Sequence, residues 1–286
     1  MHNLLHEMIK SYNAQTMYDR KNAVKEVMQE LVLCGLSRAG FFNIAAFYGG
    51  TALRIFYGLD RFSEDLDFSL ITEDNNFTLT TYFKILEKEV NSFGVNVKIE
   101  DKIKTHSTPI RSAFLKGNTK EELLLFFPEN QELAKTPANE IIKIKFEVDV
   151  MPPSGATFEK KYRLLPIPYE VNLYDEPSLF AGKIHALLGR SWKNRVKGRD
   201  LYDYVFYLSQ GAKVNLPHLQ ARLVQSGHIS AHEDITIDTL REMLCEKFEA
   251  IDYSMAKADV IPFIKDDTNL SLWNSNFFKD ITGSLK

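Results

Sequence analysis

The run IIKIKFEVDV at residues 141–150 limits the folds open to this chain more than any other segment. On an extended backbone Lys143, Lys145, Glu147 and Asp149 share one side, and Ile144, Phe146, Val148 and Val150 the other. Such a strand belongs to a sheet with one face in an apolar core and the other open to polar groups. It stops at Pro152-Pro153. DLDFSLI at 65–71 repeats the pattern, with Asp65, Asp67 and Ser69 opposite Leu66, Phe68 and Leu70. Further strands are expected in AAFY before Gly49-Gly50, in VNVKIED (95–101), in IRSAFLK (110–116) and in ELLLFF (122–127).

Helical spacing marks other segments. Val24, Val27, Met28, Leu31 and Val32 recur with that period between residues 20 and 36, ahead of Gly35. TALRIFYGL reads as a short helix after the glycine turn, and residues 78–93 as an amphipathic helix ended by Gly94. Beyond Tyr174 strands give way to helices. Asp175 is a candidate N-cap with Pro177 in the first turn and an apolar stripe of Phe180, Ile184, Leu187 and Leu188. Helices are also expected over 199–208, 216–225 and 237–248. The expected organisation is an α/β domain over 1–174 followed by a helical domain over 175–286.

Composition removes several function classes. At 286 residues the chain can build one large or two modest cores. A net charge of −3 gives no overall attraction to nucleic acid, so any such role needs a local patch. Two distant cysteines, Cys34 and Cys245, exclude a disulfide framework and a Cys-rich zinc site and fit a reducing cytoplasm. The N-terminus lacks the pattern of a signal peptide, and the apolar stretch 43–59 carries Arg54 and three glycines and is too short to span a bilayer. The sequence-based expectation is a cytoplasmic protein.

Three features converge on phosphate chemistry. Gly49-Gly50-Thr51 lies between a strand and a helix N-terminus, where backbone can approach a phosphate and the helix end favours anions; an ordinary tight turn is the alternative. Asp65 and Asp67 alternate on one strand face, so their carboxylates repel unless a cation such as Mg²⁺ lies between them; a solvated strand face is the alternative. In the 141–150 strand, Glu147 or Asp149 is a candidate third carboxylate, and the sequence does not choose between them. Residues 183–199 hold six Lys/Arg, one His and no acid, a local excess suited to triphosphate or RNA backbone. Within that run Trp192 could stack on a base or pack against its own domain, His185 reads as structural, and Tyr204 reads as core.

The motifs GGTALR at 49–54 and RFSEDLDF at 61–68, with KIHALLGR at 183–190 and KGRDLYD at 197–203, resemble the AbiEii/AbiGii family of minimal nucleotidyltransferases, toxins of type IV toxin–antitoxin systems. The resemblance spans residues 48–210. It implies a polymerase-β-like α/β core with a mixed sheet, a helical C-terminal domain completing the active site, Mg²⁺, an NTP donor, an RNA acceptor (tRNA in relatives) and a cognate antitoxin. Carried over by position, it makes Gly49, Gly50 and Ser63 part of the nucleotide-phosphate turn and Asp65 and Asp67 the metal pair. Lys183 becomes the triphosphate lysine and Asp200 the late acidic residue. Gly-Gly replaces the Gly-Ser of classical nucleotidyltransferases, as in this branch. The role of Glu147 stays open.

Residues and resemblance together give the expectation of NMP transfer, with Asp65 and Asp67 as metal ligands, Glu147 or Asp149 as a candidate third, and Gly49, Gly50, Thr51, Ser63 and, by the resemblance, Lys183 as phosphate-positioning groups. A metal-dependent nuclease is one alternative, against which the glycine turn counts, since hydrolysis requires no triphosphate cradle. A catalytically silent RNA- or partner-binding module is another, against which the intact acidic pair and Lys183 count.

Overall fold

Both alternating runs lie side by side in one mixed sheet. The protein is represented by a computed structural model that describes residues 2–102, 108–127, 136–192 and 195–286. Its strands are β1 (Ala45–Tyr48), β2 (Leu66–Leu70), β3 (Val97–Asp101), β4 (Ile110–Asn118), β5 (Ile141–Asp149), β6 (Phe158–Arg163) and β7 (Tyr169–Tyr174), in the spatial order β3-β4-β5-β2-β1-β7-β6. β2 runs parallel to β5 and antiparallel to β1, whereas β4 is antiparallel to both β3 and β5. The helices are α1 (His2–Lys10), α2 (Met17–Arg38), α3 (Gly49–Tyr57), α4 (Phe83–Ser92), α5 (Thr119–Phe126), α6 (Glu176–Gly189), α7 (Gly198–Ser209), α8 (Leu216–Gln225), α9 (Ile237–Glu249), α10 (Tyr253–Val260) and α11 (Ser275–Thr282). Among the described residues no helix is long and apolar enough to cross a membrane.

The chain forms two compact units. One comprises Met1–Thr51, Ser63–Pro152 and Lys160–Leu173; the other comprises Ala52–Phe62, Pro153–Glu159 and Tyr174–Lys286. The long C-terminal portion starts where the sequence changes character, at Tyr174. The two short inserts from earlier in the chain group with it, which no single cut in the sequence can express.

In the first unit the apolar side of the sheet (Leu66, Phe68, Ile142, Ile144, Phe146, Val148) is buried, and α2 lies against β5 with Val24, Val27, Met28 and Leu31 buried. α4 packs on β3. The opposite side of β2 and β5 keeps Asp67, Lys145, Glu147 and Asp149 half-buried. The second unit centres on Phe180 stacked on Tyr207 at 4.5 Å, with Tyr204, Phe248 and Phe278 also buried. Tyr204 is thus core, and Asp175 caps α6 by accepting from the Ser178 amide at 3.0 Å.

Residues 122–127, expected as a strand, lie instead in α5 and at its C-terminal end. Asn118 starts that helix by accepting from the Lys120 and Glu121 amides. The buried Leu123 and Phe126 are one turn apart, a spacing that a run of six residues is too short to distinguish from a strand. β6 escaped notice because its residues alternate only between exposed and half-exposed, so it has no apolar face.

α5 also carries an acid against the sheet. Glu122 is 1% exposed; its Oε1 accepts from the Asn96 amide at 3.1 Å, and Oε2 has no hydrogen-bond partner among the described residues. Burial pushes its carboxyl up to about 7. The folded protein therefore holds a proton that the unfolded chain releases above its ordinary value of 4.5, so stability falls as pH rises from there to about 7. Glu122→Gln is expected to stabilise the protein by about 2 kcal/mol at pH 8 and far less at pH 5, measured by denaturant unfolding at both.

Candidate active site

The acidic strand and the glycine turn form one construction within the first unit. Across β1, β2, β5 and β4 the register aligns Tyr48 with Asp67, Asp67 with Glu147, and Glu147 with Ser112. Adjacent parallel strands aligned in this way put Asp67 and Glu147 on one face, about 4.8 Å apart at the backbone. Asp149 is level with Ser69 and accepts from the Met151 amide at 3.0 Å. Of the two candidate third carboxylates, Glu147 is therefore the one level with Asp67. It is not idle: Oε1 accepts from Ser112 Oγ at 2.6 Å and Oε2 is paired with Lys145 Nζ.

Gly49 closes in on the same acid. Its φ is +86°, and a Cβ added there would stand 2.6 Å from Asp67 Oδ2. Both the left-handed backbone and the neighbouring carboxylate require glycine at this position. Gly50 and Thr51 follow in the first turn of α3. Thr51 Oγ1 lies 2.5 Å from the Asp65 carbonyl and 2.9 Å from Ser63 Oγ. Having one proton, the threonine hydroxyl donates to the carbonyl and accepts from the serine. From α2, Gln29 Nε2 donates to the Ser63 and Glu64 carbonyls at 3.1 and 2.9 Å. The segment entering β2 is thus pinned by its backbone, leaving Asp65 exposed and Asp67 half-exposed just beyond it.

Gly49→Ala is expected to cost about 1–3 kcal/mol in backbone strain, read from thermal melting, and to displace the Asp67 carboxylate. Gln29 was not singled out from sequence, because nothing local to a buried α2 glutamine shows that it reaches residues 63–64.

Oxygen donors of this kind suit a hard divalent cation. Asp65 is exposed and Asp67 and Glu147 are half-exposed, so their carboxylate oxygens are accessible and the residues present fit Mg²⁺. Among the described residues no group of three His, Cys, Asp or Glu stands ready to hold a metal. Glu147 would have to exchange Lys145 or Ser112 to become a third ligand. Within this unit Cys34 does not compete for such a role, since burial pushes its thiol up to about 11.

The second unit brings together the later motifs. Lys183 Nζ is 2.7 Å from Asp200 Oδ1 and 2.7 Å from Asp203 Oδ2. Arg61 grips Asp203 with two bonds of 2.6 Å, and Arg190 Nε lies 2.6 Å from Asp200 Oδ2. Burial opposes ionisation of Asp200, but Lys183 and Arg190 outweigh it and hold the carboxyl down at about 2. Lys183 is likewise desolvated, yet held charged above its ordinary value by Asp200 and Asp203. Lys183 is therefore held in a buried ion pair within this unit. Arg61 and Asp203 were not assigned a role from sequence; 142 positions separate them, and neither carries a local signal of the other.

The basic run is largely matched by acids from elsewhere in the same unit. Besides Lys183 and Arg190, Arg195 and Arg199 share Asp259 at 3.1 and 3.6 Å. Lys193 lies outside the described residues. Trp192 is 6% exposed and donates through Nε1 to the Leu187 carbonyl at 3.1 Å, and His185 bonds Ser226 Oγ at 2.9 Å.

The sequence from residue 31 to 277 matches the family model described as "Nucleotidyl transferase AbiEii toxin, Type IV TA system". Two solved structures from Helicobacter pylori are similar: JHP933, with 18% identity, coverage of 91% of this chain and 89% of that one and a TM-score of 0.49, and a putative nucleotidyltransferase, with 18% identity, coverage of 91% and 92% and a TM-score of 0.44. No curated protein matches the sequence significantly. With 247 consecutive residues matched, taking in the glycine turn, the acidic strand and the Lys183–Asp200 pair, the chain belongs to the AbiEii family of nucleotidyltransferase toxins of type IV toxin–antitoxin systems.

Proposed function

We propose that the protein transfers a nucleoside monophosphate from an NTP to an RNA acceptor, tRNA by the family resemblance, with Mg²⁺ held by Asp65 and Asp67. The observation that carries this reading is the approach of Gly49 to Asp67: a carboxylate pair at the start of a strand, backed by a turn that excludes any side chain. Bound there, Mg²⁺ supplies the Lewis acidity that polarises a phosphoryl oxygen and eases loss of the acceptor's proton.

The chain's own residues then position and neutralise. Thr51, Ser63 and Gln29 fix the backbone from which Asp65 projects. Gly49 and Gly50 let phosphate oxygens approach the main chain. Glu147, level with Asp67, would supply a third oxygen donor to such an ion if it released Lys145. Lys183, kept charged by Asp200 and Asp203, is the helical unit's candidate for the triphosphate. Little covalent work is required of the protein, since positioning and electrostatic stabilisation suffice for phosphoryl chemistry. A cognate antitoxin completes the reading as the partner that restrains the activity.

Incubation with each α-³²P-labelled NTP, total RNA and Mg²⁺, followed by a denaturing gel, tests it. Label gained by RNA supports transfer. Shortened RNA indicates the nuclease alternative, and unaltered RNA a silent binding module.

A further inference from the structure

The geometry points to a phosphate-group binding site in the helical unit, in the cavity lined by Arg190, Ser191, Trp192, Arg195 and Lys197. The cavity measures about 270 Å³, just below the roughly 300–1,000 Å³ of sites that enclose a whole small ligand, so it suits one group of a larger molecule. Three of its five lining residues are cations, one offers a hydroxyl and one an indole. Among the described residues none of the lining is acidic.

Two of the three cations have a carboxylate already: Arg190 has Asp200, and Arg195 has Asp259, which it shares with Arg199. Lys197 has no hydrogen bond or ion pair at its ammonium among the described residues. It is nevertheless largely removed from water; burial, and then repulsion by Arg190, lower its ammonium from the ordinary value. A desolvated cation without a partner is costly unless an anion completes it. Asp200 attracts Lys197, but without an ion-pair contact and while already held by Lys183 and Arg190, and that attraction does not offset the burial. Trp192 adds a second, independent oddity at the cavity wall. It adopts φ +52° and is nonetheless buried, a conformation that a bulky residue keeps only where its surroundings demand it.

A phosphate group answers each of these features. Its negative charge supplies what Lys197 lacks, its oxygens accept from Ser191 and from guanidinium N–H groups, and Arg190 and Arg195 can present planar donor pairs to it. The cavity's preference for phosphate stands apart from the transferase reading. Only the source of the phosphate rests on that reading: the polyphosphate of a nucleotide, or the backbone of the RNA acceptor.

The test uses the two tryptophans of the chain. In Trp273→Phe, the remaining indole is Trp192 at the cavity wall, and its fluorescence is followed during titration with sodium pyrophosphate, and separately with a twelve-residue oligouridylate, at constant ionic strength without Mg²⁺. ³¹P line broadening of pyrophosphate by the unaltered chain guards against any effect of the Trp273 substitution. The expected result is a saturable change whose midpoint rises at least tenfold in Lys197→Met and returns to within about threefold in Lys197→Arg. Saturation by pyrophosphate assigns the site to free polyphosphate, and saturation by the oligonucleotide alone assigns it to an RNA backbone. Asp67→Asn should leave the midpoint unchanged, so loss of transfer in that variant with intact phosphate binding separates the two proposals. The site is overturned if neither probe saturates, or if a folded Lys197→Met binds as tightly as the parent.

Discussion

Asp67→Asn is expected to lower nucleotidyl transfer by about 10³-fold or more, equivalent to roughly 4 kcal/mol of transition-state stabilisation, with the melting temperature nearly unchanged. The substitution keeps the shape that fills the space beside Gly49 and removes the charge that a divalent cation requires. Asp67 is half-exposed on the polar side of β2, so no core contact is lost. Relief of repulsion between neighbouring carboxylates can even stabilise the metal-free protein. Asp65→Ala should behave alike, since Thr51 holds the Asp65 carbonyl and the side chain is exposed. Single-turnover transfer at saturating Mg²⁺ and a calorimetric melt are the measurements. Full activity in either variant would remove the metal pair from the mechanism.

Asp203→Asn should damage the fold more than the acidic strand variants do, by about 3–5 kcal/mol in urea unfolding. Asp203 is fully buried, Arg61 is 3% exposed, and both Arg61 and Lys183 direct their charge at this one carboxylate. Neutralising it strands the buried Arg61 and leaves Lys183 with Asp200 alone, which Arg190 already shares. Lys183→Met should cost less, because Asp200 then retains Arg190 and Asp203 retains Arg61. Combining Asp203→Leu with Arg61→Met should recover part of the loss, because replacing a buried pair by apolar groups avoids the unpaired charge. A double variant no more stable than Asp203→Asn would show that the pair is not the source of the effect.

The sheet and the acidic site were legible in the sequence because strand alternation is a local pattern. Residues 65–71 and 141–150 each display their two faces without reference to the rest of the chain. The glycine turn was legible for a similar reason, although its closest neighbour is the Asp67 carboxylate, which spacing does not reveal. What escaped notice is non-local or patternless. The charge of the 183–199 run looked uncompensated because Asp203 and Asp259 follow it in the chain; folding returns them to Lys183, Arg195 and Arg199. Gln29 and Arg61 hold distant segments, and neither residue type announces a partner.

The alignment of Tyr48, Asp67, Glu147 and Ser112 across four strands has a consequence for how the chain finds its fold. Side chains alternate with a period of two, so a one-residue slip of β2 or β5 would drive Asp67 or Glu147 into the apolar layer beneath α2 and lift Phe68 or Phe146 into water. Burying a lone carboxylate there costs more than the sheet could recover from any alternative set of backbone hydrogen bonds. The acids proposed for chemistry therefore also act as sentries of register, penalising every misaligned pairing during assembly. Neutral replacements chosen to silence the enzyme would relax that penalty, and a chain carrying several of them should refold with more misaligned and aggregated product even where its native state melts at the same temperature.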